Sequence, residues 1–100
     1  MAIEPNPEQA EELAGMFRLL GEVNRILLIC ACLDGPVCVQ DLAGRFGLSP
    51  SLASHHLRLM KAARLMRAER RGKKIFYAIS DEHVRTVLHD MTVHVAEDIR

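Results

Sequence analysis

Four residues near the end of the chain have the types and spacing of metal ligands. They are Asp81-x-His83 and, further on, His94-x-x-Glu97. Two carboxylates and two neutral imidazoles are donors that suit tetrahedral Zn(II). The stretch reads as one helix from Asp81 to Arg100, capped by Ser80, with Asp81 and Glu82 in its first turn. Along such a helix His83 and His94 are about three turns apart, roughly 16 Å. They lie about 20° apart around the axis, with Glu97 about 60° from His94. One ion cannot touch both histidines of one chain. An antiparallel partner helix brings Asp81 and His83 beside His94 and Glu97 of a second copy, which makes symmetric sites across a dimer. The same helix has an apolar side of Val84, Val87, Leu88, Met91, Val95 and Ile99, so its polar residues also read as the solvated face of a dimer helix. His89 and Asp90 are not required by the spacing, and His89 reads as solvent-facing.

A second set of residues has nucleic-acid chemistry. Ser49 suits an N-cap and Pro50 the first helical position of a helix running from Pro50 to Ala63. Leu52, His56, Leu59 and Met60 recur at helical spacing as its inner face. Ser51, Ser54, His55, Arg58 and Lys61 form a polar face able to touch bases and phosphates. Next comes a basic hairpin, with Arg70, Arg71, Lys73 and Lys74 around Gly72 and a return strand alternating Ile75, Tyr77 and Ile79. From Arg58 to Lys74 there are eight basic residues against the single acid Glu69, a local charge of +7 inside a chain whose total is +0. The rest of the chain therefore carries −7. A charge run can be only a solvated face. A helix and hairpin sized for a groove and its flanking backbone point instead to double-stranded DNA.

The elements that must position these sets follow from the remaining chain. Met1 to Asn6 reads as an arm. A first helix runs from Pro7 to Leu20, its acids early and Arg18 late, with Leu13, Met16, Phe17 and Leu20 apolar. Glu22 to Leu33 reads as a second helix, nearly all apolar from Ile26, which suits the centre of the core. Asp34-Gly35-Pro36 stops it. A short extended Val37-Cys38-Val39 leads to a third helix, Gln40 to Phe46, and the pair Gln40–Phe46 and Pro50–Ala63 has helix-turn-helix proportions. The expected fold is mainly α with a β-hairpin: a winged helix-turn-helix of five helices and a two-stranded wing. One hundred residues allow one domain, residues 1–100, and a modest core. A small domain exposing so much apolar helix surface is expected to form a homodimer, here through its first and last helices.

Other classes fit less well. No apolar run approaches the roughly 20 residues of a membrane span, and the start Met1-Ala2-Ile3-Glu4-Pro5 lacks a signal peptide's basic residues. Three cysteines, an odd number, argue against a disulfide framework, so a cytoplasmic protein with free thiols is expected. A metal-dependent hydrolase needs a cleft, an open metal position and a general base. A chain this short leaves little room for them, and no enzyme is expected.

The chain resembles the ArsR/SmtB family of metal-responsive winged-helix repressors over about Leu20 to Asp98. The residues that carry the likeness are Asn24-Arg25, Cys38-Val39-Gln40-Asp41-Leu42-Ala43, the run from Leu48 through Ser54-His55-His56-Leu57 to Leu59, and Arg71-Gly72-Lys73-Lys74-Ile75-Phe76-Tyr77. The resemblance implies a homodimer that binds operator DNA when metal-free and releases it on binding metal. It likens Asp81, His83, His94 and Glu97 to the interfacial site of zinc- and cobalt-sensing members, with Zn(II), Co(II) or Ni(II) as effector. Cys38 and Asp41 match half of a second family site, which needs Cys or His from an N-terminal arm that offers neither. The arsenic-sensing variant needs Cys-x-Cys where this chain has Cys38-x-Gln40. Cys30 and Cys32 read as small buried hydrophobes. A sensor of soft metal or thiol oxidation through Cys30, Cys32 and Cys38 is the alternative.

Overall fold

A computed structural model describes residues 3–97. Helix α1 spans Pro7–Leu20. Its start is held by a capping box: Asn6 Oδ1 accepts the N–H of Gln9 at 2.8 Å, and Gln9 Oε1 accepts that of Asn6 at 3.0 Å. No residue of α1 is buried, so the helix lies on the outside of the chain. Helix α2 is Val23–Cys30, shorter than the expected Glu22–Leu33, because Glu22 is its cap and the chain turns from Ala31. Nor is α2 buried all round. Leu28 and Ile29 are buried, while Ile26 and Leu27 are 38% and 40% exposed on the side open to solvent.

Strand β1, Val37–Cys38, leads into α3, Val39–Arg45. Gly47, at a φ of 64°, makes the turn, and Leu48 N–H closes onto Ala43 O at 2.9 Å. Helix α4, Pro50–Ala62, then starts at Ser49, whose hydroxyl accepts the N–H of Leu52. Its buried stripe is Ala53, His56, Leu57 and Met60. This corrects the expected inner face: Leu52 is 41% exposed and Leu59 only half-buried. Ala53 and Leu57, fully buried, join the core that α4 shares with α2 and α3.

Strands β2, Met66–Arg71, and β3, Lys74–Ile79, form the hairpin, with Met66 opposite Ile79 and Arg71 opposite Lys74. The two-residue loop has positive φ only at Gly72, the sense of a type II′ turn. β1 adds to the other edge of β3, Val37 opposite Tyr77, so the sheet has three antiparallel strands in the order β1-β3-β2. The wing's root is thereby paired on both sides. The core lies between α2, α3, α4 and this sheet, around Leu28, Ile29, Leu42, Leu57, Met60 and Ile79.

The last helix, α5, is Glu82–Ala96. Ser80 does not cap it. Asp81 does, through a carboxylate that accepts the N–H of Val84 at 3.0 Å, whereas Ser80 Oγ is buried with no hydrogen-bond partner among the described residues. Glu97 ends the helix, its N–H still bonded to Val93 O but its ψ turned to 135°. The expected continuation through 98–100, with Ile99, lies outside the described residues, as do residues 1–2 of the expected arm.

Candidate functional site

Helix α4 and the hairpin bring the basic set to one side of the molecule. Ser51, His55, Arg58 and Lys61 are exposed along α4 and Ser54 is half-buried. Arg58 is close enough to the sheet for its charge to act on Tyr77, whose phenol burial nonetheless pushes above its ordinary range. Arg70, Arg71, Lys73 and Lys74 are all exposed at the hairpin tip, but not equally available. Arg71 bonds Glu69 through Nε at 2.6 Å and stacks on Phe76, its guanidinium carbon 4.5 Å from the ring centre. Arg70 reaches back toward Gly72 O at 3.4 Å. Lys73 and Lys74 have no ion-pair partner among the described residues. Arg64, at a φ of 64°, is bonded to Glu12 of α1 and belongs to the scaffold rather than to the basic face.

Sequence reasoning missed a network behind that face. His56, 7% exposed, accepts a hydrogen bond at Nδ1 from Arg25 Nε at 3.0 Å. The same guanidinium donates from Nη1 to Leu19 O at 3.1 Å. Glu22 caps α2 by accepting the N–H of Arg25, and its Oε2 lies 4.0 Å from His56 Nε2. Burial resists charge on Glu22, yet the backbone N–H groups of Asn24 and Arg25 and the nearby His56 and Arg25 hold its carboxyl below the usual range. Burial, with the Arg25 charge, pushes His56 below the ordinary histidine value, partly offset by Glu22. The signal in the sequence was a histidine on an apolar helical stripe, together with Asn24-Arg25, which no surface role had used.

The expected metal ligands all lie along α5. Asp81 is its N-cap, His83 stands in its first turn, His94 in its last, and all four positions are exposed. Both histidines belong to one unbroken helix, so the rise of roughly 16 Å between them holds. Glu97 keeps a helical N–H bond and a φ of −68°, so its Cβ still follows the helical path. Asp81 uses Oδ1 for the cap and leaves its other oxygen for a further partner. His83, His94 and Glu97 have no side-chain partner among the described residues, and no three metal-binding side chains of one chain converge there. This donor set fits a divalent ion only when it is completed by a second copy. His89 is exposed and turned to Asp90 at 3.3 Å.

Between α1 and α5 runs an apolar groove of roughly 440 Å³, lined by Leu13, Met16, Phe17 and Leu20 on one side and Val84, Val87, Leu88 and Met91 on the other, with His83 among its lining residues. The cysteines do not converge on any such surface. Cys32 and Cys38 are buried, Cys32 Sγ faces Leu28 O, and the half-buried Cys30 meets Thr92 Oγ1 at 3.9 Å. Burial pushes the Cys32 thiol up to about 11, which keeps it protonated and a poor ligand at neutral pH.

Residues 22–67, the span from the Glu22 cap through the helix-turn-helix into β2, match the bacterial regulatory protein, arsR family. A transcriptional repressor SmtB homolog of Synechocystis sp. is 32% identical over 90 residues, covering 90% of this chain and 68% of that protein. The chain belongs to the ArsR/SmtB family. A cadmium resistance transcriptional regulatory protein CadC homolog of Staphylococcus aureus is also 32% identical, over 86% of this chain and 72% of its own. Among solved structures, the homodimeric winged helix-turn-helix DNA-binding domain Mb0332 of Mycobacterium bovis superposes with a TM-score of 0.83 at 24% identity, covering 100% of this chain and 94% of that one. This member of the family is thus a DNA-binding transcriptional regulator with a winged-helix fold, and not an enzyme. No helix among the described residues is long and apolar enough to cross a membrane.

Proposed function

We propose that the protein is a metal-sensing repressor whose metal-free homodimer binds operator DNA and whose Zn(II)-bound form, or Co(II)- or Ni(II)-bound form, releases it. The observation that carries the reading is α5, where exposed Asp81, His83, His94 and Glu97 stand on the helix that walls an uncovered apolar groove. Leu13, Phe17, Val87 and Met91 are 46–58% exposed there. Fully burying such a side chain is worth roughly 1.5–3 kcal/mol, and covering the half still exposed about half of that. The Cα radius of gyration, 14.5 Å, exceeds the roughly 13 Å of a compact chain this long, as expected of half of a dimer. In this reading residues 1–100 are one winged helix-turn-helix unit dimerising through α1 and α5. Ser51, Ser54, His55, Arg58 and Lys61 read the major groove, and Arg70, Arg71, Lys73 and Lys74 serve the flanking backbone.

Asp81 and His83 of one copy, with His94 and Glu97 of the other, would hold the ion. When bound, it supplies a cross-link between the two α5 helices. The link from there to DNA is short. Asp81 follows Ser80, whose N–H bonds Leu65 O at 3.1 Å, and Leu65 N–H in turn bonds Met60 O of α4 at 2.9 Å. A fixed α5 start therefore constrains the end of the recognition helix and the wing root together, and with them the spacing of the two reading heads.

The test is affinity for a duplex selected by the metal-free protein from a random pool, with and without zinc. Zinc should weaken wild-type binding and leave His94→Ala unaffected. If zinc still releases His94→Ala but no longer releases Cys38→Ser, the effector site is at the cysteines instead.

A further inference from the structure

We propose that Arg25 and His56 form a positioning clamp that sets the recognition helix against α1, and that operator binding requires His56 to be neutral. The inference rests on the reading of α1 as a dimer helix and α4 as the helix that enters DNA.

A single guanidinium joins the two elements. Arg25 Nε donates to His56 Nδ1 of α4 at 3.0 Å, and Nη1 donates to Leu19 O, in the last turn of α1, at 3.1 Å. Only arginine offers two donors in so fixed a fork. The arginine's own N–H is held by Glu22 Oε2 at 3.0 Å, so the fork is anchored at its base. The clamp lies on the buried side of α4, behind the exposed Ser51, His55 and Arg58, so in this reading it makes no contact with DNA. Its action is on geometry: where α4 stands relative to the dimer seam decides whether both heads meet half-sites about one helical turn apart.

The protonation state follows from the donors. A guanidinium always carries its protons, so Nδ1 must accept and the ring proton sits on Nε2. Nε2 faces the Glu22 carboxylate at 4.0 Å. The charged or titratable groups facing the ring are Glu22 and Arg25 of α2 and His55 of its own helix, whose ring centre is 5.9 Å away. A second proton, taken from solvent onto Nδ1, would set one N–H against another and a positive ring against Arg25. The hydrogen bond to Arg25 would then be lost.

The sign separates this effect from others. Positive charge gained on the DNA face would strengthen binding on acidification. Protonating His56 weakens it. A chelator removes any metal bound at His83 or His94. The probe is the duplex selected by wild type, with chelator present, titrated from about pH 8 to about pH 5.5, across and below the ordinary histidine range. Wild-type affinity should fall toward the acid end, tracking the titration of the His56 ring followed by NMR. Asparagine places an amide oxygen near the Nδ1 position and cannot take the proton. His56→Asn should therefore bind within about threefold of wild type at neutral pH and lose the acid fall, while Arg25→Met and His56→Leu lose roughly tenfold or more. Their salt slopes should match wild type, since no phosphate contact is removed. Acid release in His56→Asn equal to wild type, or a release midpoint that does not follow the His56 ring, overturns the clamp. The ring titration in wild type decides the matter even where a substituted chain fails to fold. If wild type enriches no duplex at all, it is the functional reading that fails.

Discussion

Asp81 caps α5 through Oδ1, which accepts the Val84 N–H at 3.0 Å, and in the proposed site its other oxygen meets the ion. The two roles separate by substitution. Asp81→Ala should lower the stability of the metal-free protein by about 1 kcal/mol through loss of the cap and should also abolish the zinc response. Asp81→Asn should keep the melting temperature while weakening zinc, because an amide still caps but is a poorer ligand. Thermal melts in chelator and a zinc titration read the two effects independently. At His56 the linkage has one sign. Its value in the folded chain is depressed, so its contribution to stability is complete above about pH 6.5, the unfolded histidine range. That contribution is lost as pH falls through the folded value. The difference in unfolding free energy between wild type and His56→Asn should therefore narrow or reverse on acidification, as measured by urea unfolding at a series of pH values.

The hairpin and the recognition helix differ in what their charges do. On the wing, Lys73 has no ion-pair partner among the described residues, whereas Arg71 is paired with Glu69 and stacked on Phe76. Lys73→Ala should weaken binding to all duplexes alike and lower the salt slope by roughly one unit. Arg71→Ala should change the slope less, because its charge is already paired with Glu69 and its guanidinium is held on Phe76. Equal slopes for wild type and Lys73→Ala would show that the wing tip does not reach phosphate. On α4, Arg58→Ala should instead relax discrimination between the selected duplex and single-base variants, at about 1–3 kcal/mol for a lost base contact. Competition binding with such variants measures it.

Across the whole molecule, the α1–α5 groove is, in the proposed reading, the dimer seam that couples the two sites. Replacing Phe17 or Met91 by glutamate should yield a species of about half the wild-type mass in sedimentation, since a carboxylate buried without a partner is strongly unfavourable. A wild-type chain that sediments only at 11.2 kDa would remove the dimer and the shared ion site together. If the dimer couples metal to DNA, the coupling is reciprocal and of about 1–3 kcal/mol. The selected duplex should then weaken zinc by the same factor by which zinc weakens the duplex, as calorimetry with and without DNA can show.

What the sequence determined by itself is what neighbours within a few residues decide. Pro7 and Ser49-Pro50 start helices because a cap acts locally, whereas α2 ended at Cys30, ahead of Asp34-Gly35-Pro36. Alternation through Ile75, Tyr77 and Ile79 specified β3 because a strand's period is two. The basic face and the row of exposed carboxylates and imidazoles on α5 were legible for the same reason, as residue type plus helical spacing. Tertiary packing decided the rest. Whether Ser80 or Asp81 caps α5 depended on Ser80 being drawn inward at the end of β3. The inner face of α4 turned to Ala53 and Leu57, away from Leu52, because α2 and α3 close on that side. Arg71 met Phe76 only across the hairpin. The bond between Arg25 and His56 spans 31 positions. No local periodicity encodes such a pair; it exists only once α1, α2 and α4 have packed.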